Sequence, residues 1–412
     1  MQERKGLMKK KTLCFCIIFT VILVLVMTAG SYLLFFKDSN KDISDETVKS
    51  EVFCGYTKNG IVFCVDDLLR YGDAKSRNCV VLCDKPDCQH NKVQGDIDDQ
   101  TCNAVVTSSA LLPAIYHDKL YFVYKDGVSQ YRIYESDKNG GNRRELAHLD
   151  NVQFIYNAAY EGNYLLCAYQ NAYDFGTEDF KSLKLEKPIS GLSIINLRNG
   201  EVIRIPEKED YGSEVFKLHY DNNKIYYGYL NMDMKIDYEK LDHSLPETYD
   251  YIYQHLIISI WCYDLNTGED NCVYSGRNYE IKDFNGHYAY LLDGALETTQ
   301  IYEFNFETGE KTLLVDEPNI TVCIADRDRL TYTISNGSEM TYKYYDLAKK
   351  EISIIGKRTS AINPMAIIED KVYVSYNDDN GEYCYGYMPR ADYYKNNFDA
   401  VVPLFYPNSY GN

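Results

Sequence analysis

The 412-residue sequence has one tryptophan, ten prolines and seven histidines, and its 43 basic residues are outnumbered by 61 acidic ones. The formal net charge of −18 repels nucleic-acid phosphates and anionic lipid surfaces, which argues against both as partners. No G-x-S-x-G nucleophile elbow, H-E-x-x-H zincin helix or Walker phosphate loop occurs. The sequence therefore offers no motif of these catalytic classes.

One long apolar segment is present, "TLCFCIIFTVILVLVMTAGSYLLFF" at residues 12–36. A helix of about 20 residues spans the hydrocarbon core of a bilayer. Basic residues precede this segment, which predicts a cytoplasmic tail at 1–11 and an extracytoplasmic C-terminal domain. A cleaved signal peptide is the alternative, but Thr28–Gly30 is a poor cleavage site and more apolar residues follow it. We expect an uncleaved, single-pass signal anchor in the cell membrane.

The segment after the anchor, residues 37–50, contains no aromatic residue and reads as a charged, solvated linker. Residues 1–36 contain five basic residues and one acidic residue, so the remainder has 38 basic and 60 acidic residues and a formal charge of −22. Residues 51–412 exceed the size of a typical single hydrophobic core. They must form several domains or one modular repeat.

Seven short segments with two polar residues followed by apolar or tyrosine residues recur, as in "DKLYFV" and "NKIYYG". They begin at positions 59, 118, 162, 223, 286, 328 and 370. Most are followed by alternating segments that enter a turn, such as "WCYDLNTGEDNCVY", which is typical of antiparallel hairpins. The spacings of 42 to 63 residues predict an all-β propeller of about seven four-stranded blades. A β-sandwich pair is the alternative.

The longer repeats contain insertions, at residues 80–112, 170–188 and 231–255, and the last of these allows a short helix. Inserted loops of such folds gather on one face and often bind ligands. Most of the 41 tyrosines are expected to pack between blades, since tyrosine favours half-buried strand surfaces. The tyrosines in the insertions are candidates for a glycan- or peptide-stacking surface; they are Tyr169, Tyr173, Tyr249, Tyr251 and Tyr253.

Potential metal ligands concentrate in a Cys/His loop at 79–104, which includes "CDKPDCQHNKVQGDIDDQTC". We predict a structural zinc site made by Cys83, Cys88, His90 and Cys102, because three cysteines and one histidine satisfy tetrahedral zinc. The single residue between Cys88 and His90 is fewer than the usual two to four or so. A disulfide is the second interpretation, since extracytoplasmic compartments are usually oxidising, and Cys79 would then supply a fourth cysteine. A catalytic site is the third, although four protein ligands would leave no position open for water.

Other polar residues have structural interpretations. A three-residue turn at 266–268 predicts that Cys262 faces Cys272, too far apart for an ordinary disulfide, so that apolar packing is expected. His117, His219 and His287 lie at strand starts or turns and are expected to be hydrogen-bonded turn residues. No catalytic residue is assigned.

The motifs "LCDKPDCQH" (82–90) and "TCNA" (101–104), with the repeated "DKLYF" and "DLNTGE" elements, resemble uncharacterised membrane-anchored β-propeller proteins of Gram-positive gut-type bacteria. Many of these carry a C-x4-C-x-H loop after the first blade. The blades are also similar to the low-density-lipoprotein-receptor-related type, but the "YWTD" tetrapeptide of that group is missing. The resemblance covers most of residues 51–412 and implies a fold and a location, but no activity.

These observations predict a membrane-anchored, extracytoplasmic β-propeller that acts as a binding or scaffold module for a protein or a cell-envelope glycan. A rigid ring of blades would hold variable loops in place on one face. The alternative is a propeller-type glycan hydrolase or lyase, which would need two carboxylates within about 10 Å near the central channel. The sequence specifies neither the ligand nor the oligomeric state.

Overall fold

The computed structural model describes residues 47–405 except 52–53, 77, 107–109, 174–183, 237–245, 278, 296–297, 327, 338, 359–361, 379–380 and 382. The predicted tail at 1–11, the anchor at 12–36 and most of the linker lie outside the described residues. Within the described part of the chain, no helix is both long enough and apolar enough to cross a membrane.

Seven antiparallel sheets follow one another along the chain, each built from consecutive strands. They are the blades of a β-propeller, and the prediction of about seven four-stranded blades is confirmed. Blade 1 has a fifth strand, and blade 3 has one additional short strand. Two α-helices are also described, α1 (Pro246–His255) and α2 (Arg390–Tyr393), with single 3-10 turns at Ile97–Asp99 and Phe398–Ala400.

The strands have the following bounds. Blade 1 contains β1 (Thr47–Glu51), β2 (Cys54–Thr57), β3 (Gly60–Val65), β4 (Leu68–Asp73) and β5 (Cys79–Val81). Blade 2 contains β6 (Ala110–Tyr116), β7 (Lys119–Lys125), β8 (Gln130–Asp137) and β9 (Arg144–Asp150). Blade 3 contains β10 (Phe154–Glu161), β11 (Tyr164–Tyr173), β12 (Lys184–Asn196), β13 (Val202–Arg204) and β14 (Lys208–Glu209). Blade 4 contains β15 (Tyr211–Asp221), β16 (Lys224–Met232), β17 (Leu256–Asp264) and β18 (Asp270–Arg277).

The last three blades are regular. Blade 5 contains β19 (Tyr279–Asn285), β20 (Tyr288–Ala295), β21 (Thr298–Asn305) and β22 (Lys311–Glu317). Blade 6 contains β23 (Ile320–Asp326), β24 (Arg329–Asn336), β25 (Glu339–Asp346) and β26 (Glu351–Arg358). Blade 7 contains β27 (Ile362–Ile368), β28 (Lys371–Asn377), β29 (Tyr383–Pro389) and β30 (Val402–Phe405). The seven recurring segments of the sequence thus form β3, β7, β11, β16, β20, β24 and β28.

The "DLNTGE" elements form the turn between the last two strands of a blade. The Asp264 carboxylate accepts the N–H of Asn266 at 2.8 Å, and the N–H of Gly268 donates to the Asp264 carbonyl at 2.8 Å. Gly268 has φ +73°, which favours glycine because only glycine adopts it without steric cost. The N–H of Leu265 donates to the carbonyl of Asn223, so the turn is tied to the first hairpin of its own blade.

This turn has one residue more than the sequence predicted, and the expected pairing of Cys262 with Cys272 is wrong. Cys262 pairs with Asn271, and Cys272 pairs with Trp261. The capping by Asp264 extends the turn to four residues, and a bulge next to Ile260 then shifts the register again. The helix α1 confirms the short helix expected within the insertion at 231–255.

The hydrophobic core lies between blades. Among the described residues, seven apolar clusters occupy the seven junctions from blades 1 and 2 round to blades 7 and 1. Ten of the twelve largest fully buried side chains are tyrosines, so many tyrosines pack between the blades, as expected. Tyr131 shows why it is preferred to phenylalanine, since its hydroxyl donates to the carbonyl of Gln153, in the connection to the next blade, at 3.1 Å.

The ring closes without a shared strand, because every sheet of the described chain is made from neighbouring strands. Blade 7 meets blade 1 through side chains. The Tyr373 and Tyr387 hydroxyls donate to the carbonyls of Thr57 and Ala74, both at 2.7 Å. The rings of Tyr56 and Tyr373 also pack with centroids 5.4 Å apart.

The topology separates two ends of the ring. In blade 1 the additional strand is β1, so the four regular strands are counted from β2. The turn between the first and second regular strand of each blade lies at one end of the ring, and Thr47 of β1 lies there too because it pairs with Thr57. The connections after the second and the fourth strand therefore lie at the other end. The strands that flank the three insertions predicted at residues 80–112, 170–188 and 231–255 have their connecting ends there.

Candidate metal centre and central channel

The Cys/His loop is folded back on itself by β4. The Leu69 carbonyl accepts the N–H of Leu82 at 2.9 Å, and the Leu69 N–H donates to the Ala104 carbonyl at 2.9 Å. One residue of β4 therefore holds both ends of the loop. Because Cys83 and Cys102 follow and precede these ends, they come together although 19 positions separate them.

Cys88 and His90 reach the same place through a tight turn. The Cys88 N–H donates to the Lys85 carbonyl at 3.3 Å, and His90 has a left-handed backbone with φ +55°. His90 Nδ1 lies 3.4 Å from Cys102 Sγ. The ligand atoms of Cys83, Cys88, His90 and Cys102 all lie within 4.8 Å of one another. The structure thus brings together the four residues predicted from the sequence.

The cluster fits a tetrahedral metal ion. With Zn–S bonds of about 2.3 Å and a Zn–N bond of about 2.0 Å, ligand atoms of such a site are roughly 3.5 to 3.8 Å apart. The observed spacing needs only a small contraction around an ion. Cys79 lies on β5, is exposed and is not a member of the cluster. Thiolate and imidazole ligands bind zinc in preference to calcium or magnesium, which prefer oxygen ligands.

The thiols of the cluster differ in acidity. Burial, with help from the neighbouring Cys88 and Cys83, raises the pKa of Cys102 to about 12. Burial also opposes ionisation of Cys88, but hydrogen bonds from the His90 backbone N–H and from Cys102 and Cys83 bring its pKa below the usual value. Because a metal binds thiolates, an ion at this site would displace the proton of Cys102.

The loop is wedged against blade 2. Arg143 donates to the carbonyls of Ile97, Asn103 and Val105, with the contact to Ile97 at 2.6 Å. The Ile97 side chain is fully buried in the core between blades 1 and 2. The guanidinium of Arg132 pairs with Asp96 at 2.6 Å. A metal ion here would fix a loop that joins two blades. The contacts of Arg143 with this loop were not predicted from the sequence.

The central channel is a cavity of about 710 Å³ lined by the innermost strands. Each inner strand of blades 2 to 7 has a bulge in its pairing with the next strand. Tyr156, Lys217 and Lys282 occupy three of these bulges and line the cavity. A bulge re-aims a side chain, so the channel gains polar groups that a regular strand pattern would not predict.

The two carboxylates in the lining of the channel are both engaged. Glu161 lies 3.1 Å from His219 Nδ1 and also accepts the N–H of Tyr220. Asp283 accepts the N–H groups of Phe284 and Ala325, both at 3.0 Å. Each carboxylate therefore joins its blade to the next one. Neither is a free acid or base in the described lining.

The histidines at turns are hydrogen-bonded as predicted. The imidazole of His117 contacts the Gly162 carbonyl at 2.6 Å, and that of His219 contacts the Gly286 carbonyl at 3.0 Å. His287 lies 2.7 Å from Asp221. All three connect neighbouring parts of the ring.

The stacking surface predicted from tyrosines of the insertions is only partly described. Tyr169 is fully buried and donates to Glu207 at 2.7 Å, so it is unsuitable as a platform. Tyr251 is 38% exposed on α1 and packs on His255 with centroids 4.9 Å apart. The side chains of Tyr173, Tyr249 and Tyr253 lie outside the described residues.

No protein-family model matches the chain, and no curated protein does so either. Solved structures show the fold. The β-propeller domain of the Trilobed protease from Pyrococcus furiosus, described as having an open velcro topology, has 12% identity and a TM-score of 0.51, and the match covers 89% of this chain and 95% of that one. Membership of the low-density-lipoprotein-receptor-related propeller group, or of a family with the C-x4-C-x-H loop, is therefore not shown.

Two peptidases also contain a similar ring. A puromycin-hydrolyzing peptidase of Mycobacterium tuberculosis has 10% identity and a TM-score of 0.54, and the match covers 87% of this chain and 53% of that one. The Pyrococcus horikoshii acylaminoacyl peptidase has 13% identity and a TM-score of 0.54, and 88% of this chain covers 53% of it. The chain thus spans about half the length of these two enzymes, and the likeness at such low identity shows the β-propeller fold alone.

Proposed function

We propose that the protein is a membrane-anchored, extracytoplasmic binding module that recognises a protein or a cell-envelope glycan. The single-pass anchor is residues 12–36, and the linker brings the chain to β1. Because Thr47 lies at the end of the ring that holds the turn between β2 and β3, we expect that end to face the membrane. The three insertions then face outward, where a partner can reach them.

The engagement of the channel carboxylates favours binding over catalysis. A hydrolase or lyase needs a carboxylate that can exchange protons with a substrate. Glu161 and Asp283 instead accept backbone N–H groups of the adjacent blade. A cavity of about 710 Å³ lies within the range of roughly 300 to 1,000 Å³ that holds small ligands. The alternative enzyme function is an outcome of the test below.

We also propose that Cys83, Cys88, His90 and Cys102 bind a structural zinc ion. Its four protein ligands leave no coordination position for a substrate. The ion would fasten the loop that Arg143 and Ile97 already hold at the junction of blades 1 and 2. The ion would stabilise the ring, while binding occurs at the channel and the insertions.

The test uses the purified full chain with isolated cell envelopes of the source cell. We expect saturable co-sedimentation with the envelope and no release of reducing ends or unsaturated sugars. Lys282→Glu reverses a charge in the channel and should weaken binding, whereas Lys357→Glu, on the outer strand of blade 6, should leave it unchanged. Sugar release that is abolished by Glu161→Gln or Asp283→Asn would establish the enzyme instead.

A further inference from the structure

A second cavity, of about 690 Å³, lies at the junction of blades 6 and 7. It is separate from the central channel and from the metal cluster. Its lining residues include Arg329 at the start of β24, Tyr344 of β25, and Tyr394 and Lys395 just after α2. Glu369 and Asp370, in the turn before β28, contribute the acidic part of the lining.

Arg329 is the unusual group of this cavity. Its guanidinium carbon lies 4.7 Å from the ring centroid of Tyr344 and 4.4 Å from that of Tyr394, so the two rings hold it in place. Among the described residues its buried Nε has no hydrogen-bond partner, and its ion pair with Asp328 is long, at 3.8 Å. The Arg329 side chain is 24% exposed, so this oriented guanidinium, with only a long ion pair, can bind an anion in the cavity.

Asp326 and Asp328, on the strand and turn before Arg329, bind Arg390 instead. Arg390 binds Asp326 through Nε at 2.7 Å and Asp328 at 3.0 Å. The Tyr394 hydroxyl also donates to Asp326, at 2.6 Å. This network positions Arg390 and Tyr394 and reduces the acceptor capacity available to Arg329. Lys395 is exposed and adds a further positive charge to the cavity.

Glu369 and Asp370 place acceptors opposite these donors. Glu369 is paired with Lys58 of blade 1 at 2.7 Å, and Asp370 with Lys371 at 3.3 Å. The Glu369 and Asp370 side chains are themselves exposed, and ion pairs of exposed carboxylates are weak, so their oxygens remain able to accept from a ligand hydroxyl. A ligand that satisfies both sides needs an acidic group and several hydroxyls. The volume is also much larger than a bare phosphate ion requires.

We propose that this cavity binds an acidic sugar, whose carboxylate or phosphate accepts hydrogen bonds from Arg329 and Lys395 while its hydroxyls donate to Glu369 and Asp370. The site does not depend on the channel, and it stands or falls separately from the binding function proposed above. The positive groups of the cavity act at short range, so the overall negative charge of the protein does not prevent binding at physiological ionic strength.

The experiment is calorimetric titration of the purified full chain at an ionic strength of about 0.15 M with four probes: D-glucuronate, D-glucose 6-phosphate, D-glucose and inorganic phosphate. We expect one of the two acidic sugars to bind and glucose not to bind; which acidic sugar binds more tightly identifies the acidic group. Inorganic phosphate that binds as tightly as the better acidic sugar would overturn the assignment to a sugar. The absence of binding by both acidic sugars would overturn the site.

Arg329→Gln should weaken the preferred sugar about tenfold or more, since charge-assisted hydrogen bonds are lost. The matched control is Arg358→Gln, because Arg358 also packs on an aromatic ring, that of Phe398 at 4.9 Å, but does not line the cavity. Equal affinity in Arg329→Gln and Arg358→Gln would contradict the proposal. If thermal melting shows that Arg329→Gln does not fold, Lys395→Gln decides, with a loss of about threefold expected for an exposed cation and unchanged affinity contradicting the site.

Discussion

Cys102 is the fully buried member of the metal cluster, whereas Cys79 is exposed and lies outside it. After purification without oxygen, we expect about one zinc ion per chain. Cys102→Ser should lose most of this zinc, and Cys79→Ser should retain it. Elemental analysis and alkylation of free thiols on the same samples measure both effects. Equal zinc content in the two variants, or a disulfide at Cys88 or Cys102 in the native chain, would contradict the zinc site.

His219 should make the stability of the ring depend on pH. Burial lowers its pKa, but the carboxylates of Glu161 and Asp221 and the Gly286 carbonyl outweigh burial, so that the pKa is raised above the ordinary 6.5. A raised pKa in the folded state stabilises the protein fully below about pH 6.5, and this contribution is lost as the pH rises through the elevated pKa. Denaturant unfolding between pH 6 and 9 measures the loss.

The matched comparison replaces His219 or an exposed histidine by glutamine. His219→Gln should flatten the decrease in unfolding free energy above pH 6.5. His148→Gln should not, because the His148 side chain is 63% exposed and solvent screens its pairs with Glu145 and Asp150. An identical pH profile in the native protein and in His219→Gln would show that the pairing with Glu161 does not contribute.

At the scale of the element, the turn between the third and fourth strands can be tested with two glycines in equivalent positions. Gly309 has φ +71° and open space where a Cβ would lie, so Gly309→Ala should cost about 1 to 2 kcal/mol from backbone strain alone. Gly200 has φ +75°, and its Cβ would lie 2.2 Å from the Leu146 carbonyl oxygen of blade 2. Gly200→Ala should therefore destabilise the protein more than Gly309→Ala.

The midpoint of thermal unfolding for each variant checks this order. Gly72→Ala is the control, since Gly72 lies in extended β4 and a Cβ there would make an ordinary contact of 3.5 Å with Phe63. A cost for Gly200→Ala no larger than for Gly309→Ala would show that the turn moves away from blade 2. In that case the contact between these blades contributes little.

At the scale of the whole molecule, the features that the sequence predicts are those formed by residues close together in the chain. Each blade carries its own hairpin signals, so the blade number follows from the repeats, and the metal cluster follows because its ligands lie within one loop. The register of Cys262 and Cys272 could not be predicted, since it depends on capping by Asp264 and on a bulge. The cavity at Arg329 was also missed, because Arg329 and Tyr394 are 65 positions apart and meet only when blades 6 and 7 pack.

The ring closure gives the last prediction. Blades 2 and 3 are joined by residues 151–153, whereas the described contacts between blades 7 and 1 are made by side chains such as Tyr373, which donates to the buried Thr57 carbonyl. Tyr373→Phe and Tyr131→Phe each remove one hydrogen bond to a carbonyl, at a net cost of about 0.5 to 1.5 kcal/mol. Because no covalent link holds blades 7 and 1 together, we expect only Tyr373→Phe to increase hydrogen exchange across both of those blades. Hydrogen exchange could instead increase across blades 2 and 3 in Tyr131→Phe as much as it does across blades 7 and 1 in Tyr373→Phe. That result would mean that the covalent connection does not keep two blades together, and that every junction opens independently.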